Sequence, residues 1–341
     1  MKRPRRVTLI DVATHVGMSR SAVSMALSDH PEIAAGTKER VRTAAQQLGY
    51  VTNSAARALR SQSSGSIALI VPDTGPHTFG HPYFMHLLVG VTDVCGEHNA
   101  NVIISANKDE GNSVAAYDRV LRSRAADGAI VTVATVEDPH LSALVESGLP
   151  VVLMGRFPQL PEAVSVGIDD RDGARQVTEH LIVAHQRRRL VHLGGPPGHQ
   201  VTIEREEGFR QALKAAGLKS AGESTGDFTE ESGRALTRQL IASGKRFDAI
   251  FAANDEMAYG AMTELRDGGL DVPGEVSIVG FDDFGLARVT TPGITTVHIP
   301  AEELARAATV RLFQLIGGVR PAEPHLMLPL EVVLRGSCGC L

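Results

Sequence analysis

The side chains in this 341-residue chain that could bind something stand close to the ends of short apolar runs. Arg205, in Arg205-Glu206-Glu207-Gly208-Phe209, carries a planar fork of donors that fits vicinal hydroxyls or a carboxylate. Asn254 follows the run Ala249–Ala252 and opens Asn254-Asp255-Glu256-Met257-Ala258, where its amide can cap a helix and reach a ligand as well. Asp282, in Gly280-Phe281-Asp282-Asp283, ends another run and points a carboxylate the same way. Rings accompany these groups: Tyr83 and Phe84 in His81-Pro82-Tyr83-Phe84, and Phe228 in Gly226-Asp227-Phe228. Each ring can pack in a core or stack on a sugar or base. This is binding chemistry, not turnover. No G-x-S-x-G elbow or H-E-x-x-H word occurs, and Gly194-Gly195-Pro196-Pro197-Gly198 lacks the spacing that cradles phosphates.

Two further groupings invite a metal, and neither is strong. Asp169, Asp170 and Asp172 suit a helix start, where acids cap and complement the dipole. The three cysteines, Cys95, Cys338 and Cys340, make neither a disulfide framework nor a zinc ligand set. Cys338-Gly339-Cys340 offers two soft donors at the extreme C-terminus, but only two. The expectation is no metal, no cofactor and no catalytic residue. Arg187-Arg188-Arg189 reads as a solvated turn before a strand.

A different chemistry occupies the first sixty residues, which hold ten Lys/Arg against four Asp/Glu, a balance of +6. The whole chain is −5, so the remainder carries −11. A basic head on an acidic body suits contact with phosphates. The head's pattern is helical. Thr8 caps a first helix with Asp11 in its first turn, Gly17 makes the left-handed turn, and Ser19 caps a second helix to about Leu27. Helix, short glycine turn and helix is the helix-turn-helix arrangement. Thr37 is expected to cap a third helix with Val41, Ala44, Ala45 and Leu48 on one face, closed by Gly49. Asn53 is expected to cap a very short fourth, Ser54 to Arg60. The plain alternative is a helical bundle with a solvated basic face.

The words of this head go further. Val7-Thr8-Leu9-Ile10-Asp11-Val12-Ala13, Gly17-Met18-Ser19, Ala22-Val23-Ser24, Thr37-Lys38-Glu39-Arg40-Val41, Leu48-Gly49-Tyr50 and Asn53-Ser54-Ala55-Ala56-Arg57-Ala58-Leu59 follow at fixed spacing without a gap. In these the chain resembles the lac repressor family of bacterial transcription regulators, and the resemblance extends along nearly its whole length. It implies that the second helix enters a major groove, with Arg20 and Ser21 at base edges and Ser24 and Met25 one turn on. Thr8, Ser19 and Thr37 are expected at phosphates. Asn53, Ala56, Arg57 and Leu59 would belong to a hinge helix that folds on operator DNA, Leu59 wedging between base pairs. For the body the resemblance implies a small effector held between two lobes by Tyr83, Phe84, Arg205, Phe228, Asn254 and Asp282. His81 stands where the family's word has Asn, and Gly155-Arg156 where relatives often carry Asp, so no specific sugar carries over.

The elements that must position these groups alternate along the body. Runs at 67–71, 102–105, 129–133, 151–154 and 164–168 read as strands, with helices at 82–98, 113–123 and 140–146 between them. The order repeats with strands 189–193, 249–252 and 276–280 among helices 171–184, 202–216, 231–242 and 255–267. Val/Ile/Leu-rich strands between helices imply parallel sheets covered on both faces. The fold class is therefore α/β, an all-α helix-turn-helix head plus a two-lobed body like a periplasmic binding protein. The expected domains are a DNA-binding head at 1–52, hinge and Ser-rich linker at 53–65, and an effector-binding body at 66–341. Its lobes divide at about 66–165 and 166–295, with helix 300–317 and strands within 326–334 closing on either. No run approaches 18 apolar residues and no signal peptide opens the chain, so a cytoplasmic protein is expected. The expected partners are double-stranded operator DNA, a small effector such as a sugar, and a second copy of the chain in a homodimer. A sugar-binding receptor without a DNA role is the runner-up, and the basic head argues against it.

Overall fold

The computed structural model describes residues 7–50, 63–72, 78–107 and 114–340. The basic N-terminal arm and the hinge residues Asn53, Ala56, Arg57 and Leu59 lie outside them. The chain divides into two compact units, Met1–Ser64 and Gly65–Leu341.

The first unit holds three helices, α1 (Leu9–Val16), α2 (Arg20–Leu27) and α3 (Ala35–Leu48). Thr8 and Asp11 cap α1 reciprocally, and Gly17 turns the chain at φ 69°. Ser19 Oγ accepts from the Ala22 amide at 3.2 Å to start α2. Val12, Ala13, Val23, Ala26, Val41 and Ala45 form a small core, with Met18, Ile33 and Leu48 packed around it. Thr37 does not cap α3. The helix begins two residues earlier, with Ala34 at the cap position and no side-chain cap bond, so Thr37 sits inside its first turn.

In the second unit, β1 (Ser66–Val71), β2 (Asn101–Ala106), β3 (Ala129–Val131), β4 (Val151–Met154), β5 (Val164–Gly167) and β6 (His325–Met327) form one sheet, in the order β6-β5-β4-β3-β1-β2. All its pairs are parallel. The central strands are buried along their length, and the edge strand β2 is not, as coverage by helices requires. A second parallel sheet runs β7 (Gly222–Thr225), β8 (Leu190–Gly194), β9 (Ala249–Ala252) and β10 (Ser277–Val279). Helices α4 (Pro82–Glu97), α5 (Val114–Ser123) and α6 (Pro139–Glu146) serve the first sheet. Helices α7 (Asp170–Val183), α8 (Gln200–Ala215), α9 (Glu230–Ala242), α10 (Asp255–Asp267) and α11 (Leu286–Val289) serve the second.

The expected division near 165 passes through β5, whose Val166 and Gly167 stay in the first sheet. The chain then crosses to the second lobe at Ile168. It crosses back after Thr296–His298, and helix α12 (Ala301–Ile316) lies against α4, with Gly90 allowing the close approach: a Cβ there would stand 2.3 Å from the Glu302 carbonyl. A third crossing follows β6, because Glu331–Val333 pairs antiparallel with Thr296–His298 on the second lobe. The C-terminal strands thus close one on each lobe. Three crossings hold the lobes beside one another, with the carboxyl ends of both sheets turned to a common cleft. Arg187 is no solvated turn residue: its guanidinium donates to Ser277 Oγ at 2.9 Å and to the Pro273 carbonyl at 2.5 Å.

Candidate functional site

The cleft encloses a cavity of about 540 Å3, within the roughly 300–1,000 Å3 of small-molecule sites. Tyr83, Phe84, Arg205, Phe228, Asn254 and Asp282 all line it. So do Asp170, which the sequence placed only at a helix start, and groups that it did not single out, among them Glu204, Thr132, Phe157 and His199.

Arg205 sits at its centre and is only 4% exposed. Gly208, one turn on, lets α8 approach α7 so closely that a Cβ would lie 2.1 Å from the Arg171 carbonyl. That approach brings the guanidinium to Asp170, whose Oδ1 accepts from Nε at 2.9 Å and pairs with Nη2 at 2.8 Å. Nη1 donates to the Ala253 carbonyl at 2.6 Å and meets Asp282 Oδ1 at 3.4 Å, and the fork lies 3.8 Å over the Phe281 ring. Burial raises the Asp170 carboxyl above its ordinary range, and the Arg205 charge offsets this only in part. The three acids at the start of α7 therefore have separate tasks. Asp169 caps the helix, Asp172 pairs with Arg175, and Asp170 turns into the cleft.

Asn254 caps α10, its Oδ1 accepting from the Met257 amide at 3.0 Å. Its amide hydrogens go to the Phe228 carbonyl at 3.0 Å and to Glu256 at 2.9 Å. It therefore positions the Phe228 loop as well as lining the wall. Phe228, Asp282 and Val133 take positive φ of 67°, 120° and 56°. Non-glycine residues avoid this region, a β-branched one above all, and such strain gathers where a binding wall must be held in place.

A charged contact is among those that join the lobes directly. His81, at the start of α4, places Nε2 3.1 Å from Glu256 and 3.4 Å from Asp282. Burial works against its charge, but the hydrogen bonds and charges of Asp282 and Glu256 outweigh that and raise the pKa to about 10. Beside it, Phe284 of the second lobe stacks on His86 at 5.1 Å and approaches Tyr83 at 6.2 Å. Burial likewise raises the Tyr83 phenol to about 12, against a hydrogen bond with Thr132.

In the head, α2 turns Val23 and Ala26 inward and leaves Arg20 and Ser21 exposed at its start, with Ser24 and Met25 half-buried one turn on. Ser19 and Thr8 are exposed beside the two helix starts. Lys38 and Arg42 of α3 meet Asp29 at 3.8 and 2.5 Å.

These features fit one assembly. Residues 8–53 match the family described as bacterial regulatory proteins, lacI family, and residues 178–338 match the periplasmic binding protein-like domain. The HTH-type transcriptional regulator CelR of Thermobifida fusca is 34% identical over 99% of this chain and all of its own length. The chain belongs to the lacI family. GalR of Escherichia coli is 30% identical over 88% of this chain and 87% of its own. A lac repressor dimer bound to operator and the anti-inducer ONPF superposes with a TM-score of 0.88 at 26% identity, covering 98% of this chain and 99% of the other. A CelR–cellobiose complex gives 0.73 at 30% identity, covering 97% and 100%. The protein is thus a DNA-binding transcription regulator, with a helical head and a parallel-sheet body of the lac repressor fold. Its relatives are regulators and not enzymes. Among the described residues no helix is long and apolar enough to cross a membrane.

Proposed function

We propose that this regulator represses transcription as a homodimer on operator DNA, and that a neutral sugar in the cleft sets its affinity for that DNA. The observation that carries the ligand class is the charge already present in the cavity wall. Asp170, Glu204, Asp227 and Asp282 face Arg156, Arg205 and His81 there, and Arg205 is engaged by two of those carboxylates. A carboxylate ligand at Arg205 would have to displace one of them, whereas hydroxyls can share donors and acceptors with the same groups. The rings of Phe84, Phe228 and Tyr83 supply faces for a sugar's C–H surface. Cellobiose deserves the first trial, given the ligand of the superposed CelR complex.

On the DNA side, Arg20 and Ser21 are assigned to base edges, and Thr8 and Ser19 to phosphates at helix starts. Ser24 and Met25 extend the reading face. Thr37, in the first turn of α3, is kept as a phosphate contact. Asn53, Ala56, Arg57 and Leu59, outside the described residues, are assigned to the hinge.

Calorimetry of the full chain against neutral sugars, sugar acids and nucleosides tests the ligand class. A neutral sugar should bind one per chain and alter operator affinity in a gel-shift assay. Binding confined to sugar acids would overturn the charge argument, and binding confined to nucleosides the sugar class. Operator affinity should fall by about 0.9 log units per neutralised phosphate for each log unit of salt. A flat salt response would remove the head from the phosphates.

A further inference from the structure

A second cluster lies away from the cleft, where the C-terminus meets the end of α7. His180 stands in the last turn of that helix and His185 follows once the helix has ended. Their Nε2 atoms are 3.1 Å apart. Cys340 Sγ lies 3.3 Å from the first and 3.4 Å from the second, and Cys338 Sγ lies 3.5 Å from His180 Nε2. All four donor atoms fall within 4.8 Å of one another.

We propose that His180, His185, Cys338 and Cys340 form a tetrahedral zinc site. The sequence shows only the two cysteines as neighbours; the fold supplies the histidines from more than 150 residues away. Tetrahedral geometry with Zn–S near 2.3 Å and Zn–N near 2.0–2.1 Å requires edges of about 3.4 Å for N–N and about 3.6 Å for N–S. The four edges above differ from these by a few tenths of an ångström or less. Hydrogen bonding alone serves the cluster poorly. His180 Nε2 faces three partners, and one nitrogen carries either one proton or one lone pair. A cation at the centre would take one lone pair from each of the four donors. Two thiolates and two neutral imidazoles balance Zn2+, so the half-buried complex carries no net charge. The mixed sulfur–nitrogen set with closed coordination is that of a structural zinc, not of a catalytic one.

The terminus is also held in place for the task. Ser277 Oγ donates to the Cys338 carbonyl at 2.8 Å, Ser337 Oγ to the Ile278 carbonyl at 2.6 Å, and the Thr295 amide to Ser337 Oγ at 2.9 Å. The Thr295 hydroxyl lies 3.0 Å from Cys338 Sγ, an outer partner of the kind that orients a ligand. Gly339, at φ 111°, lets the chain pass the His185 ring, which a Cβ would meet at 3.0 Å. Zinc would tie residues 338–340 to α7 and fix the edge of the second lobe.

The test uses the full chain purified under reducing conditions, with zinc and then cobalt(II) as the probes. We expect one zinc per chain. Cobalt should give the intense visible bands of a tetrahedral site and a near-ultraviolet thiolate charge-transfer band. Cys340→Ser should cost more than the roughly 10–100-fold in zinc affinity that loss of an outer partner costs. Cys95→Ser, in the core of the first lobe, should cost nothing. Cys338 is fully buried, so Cys338→Ser can fail by misfolding; Cys340 is half-exposed and keeps the test open. Substoichiometric zinc, a cobalt spectrum without the thiolate band, or equal affinity in Cys340→Ser would each overturn the site. So would a Cys338–Cys340 disulfide whose reduction leaves the chain unable to bind zinc.

Discussion

His81→Asn replaces the histidine that joins the lobes with the residue that the related word carries at that position. It keeps a short polar side chain at the start of α4 and removes the charge between Glu256 and Asp282. The magnitude follows from linkage. A folded pKa of about 10 against 6.5, at about 1.4 kcal/mol for each pH unit, sets an upper bound near 5 kcal/mol on the charge's contribution to stability. Two features reduce it. The side chain is 20% exposed, and its Nδ1 lies 3.3 Å from the Tyr83 amide, a donor that opposes a second proton on that nitrogen. About 2 kcal/mol is the working figure.

The folded pKa lies above the unfolded one, so this stabilisation is complete below about pH 6.5 and is lost as pH rises through about 10. Urea unfolding of wild type and His81→Asn should be measured in steps across that window. The difference between the two should be greatest near pH 6 and shrink toward pH 10, while the other titrating groups cancel. A difference that stays constant with pH would refute the charged clasp, and so would a nuclear magnetic resonance titration placing the His81 ring at or below its ordinary value.

Other perturbations have equally definite outcomes. Arg205→Met leaves Asp170 and Asp282 buried without their partner and should cost about 3–5 kcal/mol in urea unfolding, with Asp170→Asn in the same chain recovering part of it. His192, stacked on Phe209 and Phe251 with Nδ1 3.0 Å from the Phe251 carbonyl, is held down to about 4 by burial. Its contribution is present above about pH 6.5 and is lost as pH falls toward 4, by up to about 3 kcal/mol; His192→Phe should remove that part of the acid sensitivity in a pH series of unfolding curves. Arg20→Ala should leave the circular dichroism of the head unchanged and cost about 1–3 kcal/mol of discrimination at one base pair in a binding-site selection. Leu59→Ala should abolish operator bending in a phasing gel and leave sugar binding intact.

The two sheets were legible because their strands are buried on both faces, and burial of that kind writes continuous runs such as Ile67–Val71 and Ala249–Ala252. Gly222–Thr225 was not, because it is an edge strand of small and polar residues without an apolar run. Thr37 misled because a hydroxyl followed by charged residues has the form of a cap, while the chain had already turned helical at Ala35-Gly36. Arg205, Asn254 and Asp282 could be picked from type and position. Their partners could not. The Asp170 contact spans 35 residues and the His81–Glu256 contact 175, and no local spacing encodes pairings of that length. Asp170 was also hidden among neighbours with ordinary helix-start roles. The histidines at 180 and 185 escaped because their cysteine partners lie more than 150 residues on, and because a five-residue separation is not one helical face and makes sense only where α7 stops at Val183.

The charges at the centre of the cleft, those of Arg205, Asp170, Asp282 and His81, are already paired with one another. Asp282 receives Arg205 on one oxygen and His81 on the other, so it is shared between a positioning contact within its lobe and a contact across the cleft. An effector cannot simply add hydrogen bonds to such a wall; it must exchange with bonds that exist. Each exchange is close to neutral when a hydroxyl replaces a like partner, and costs about 1–3 kcal/mol when a buried donor or acceptor is left without one. Selectivity then comes from the ligands that fail to restore every broken contact. Both contacts on Asp282 are 3.4 Å long, but His81 is the more exposed partner and so the more open to exchange, and its contact is also one that holds the lobes together. On the proposed reading, a ligand that competes for Asp282 would act on the spacing of the lobes through the group that recognises it, so that recognition and response would share one carboxylate.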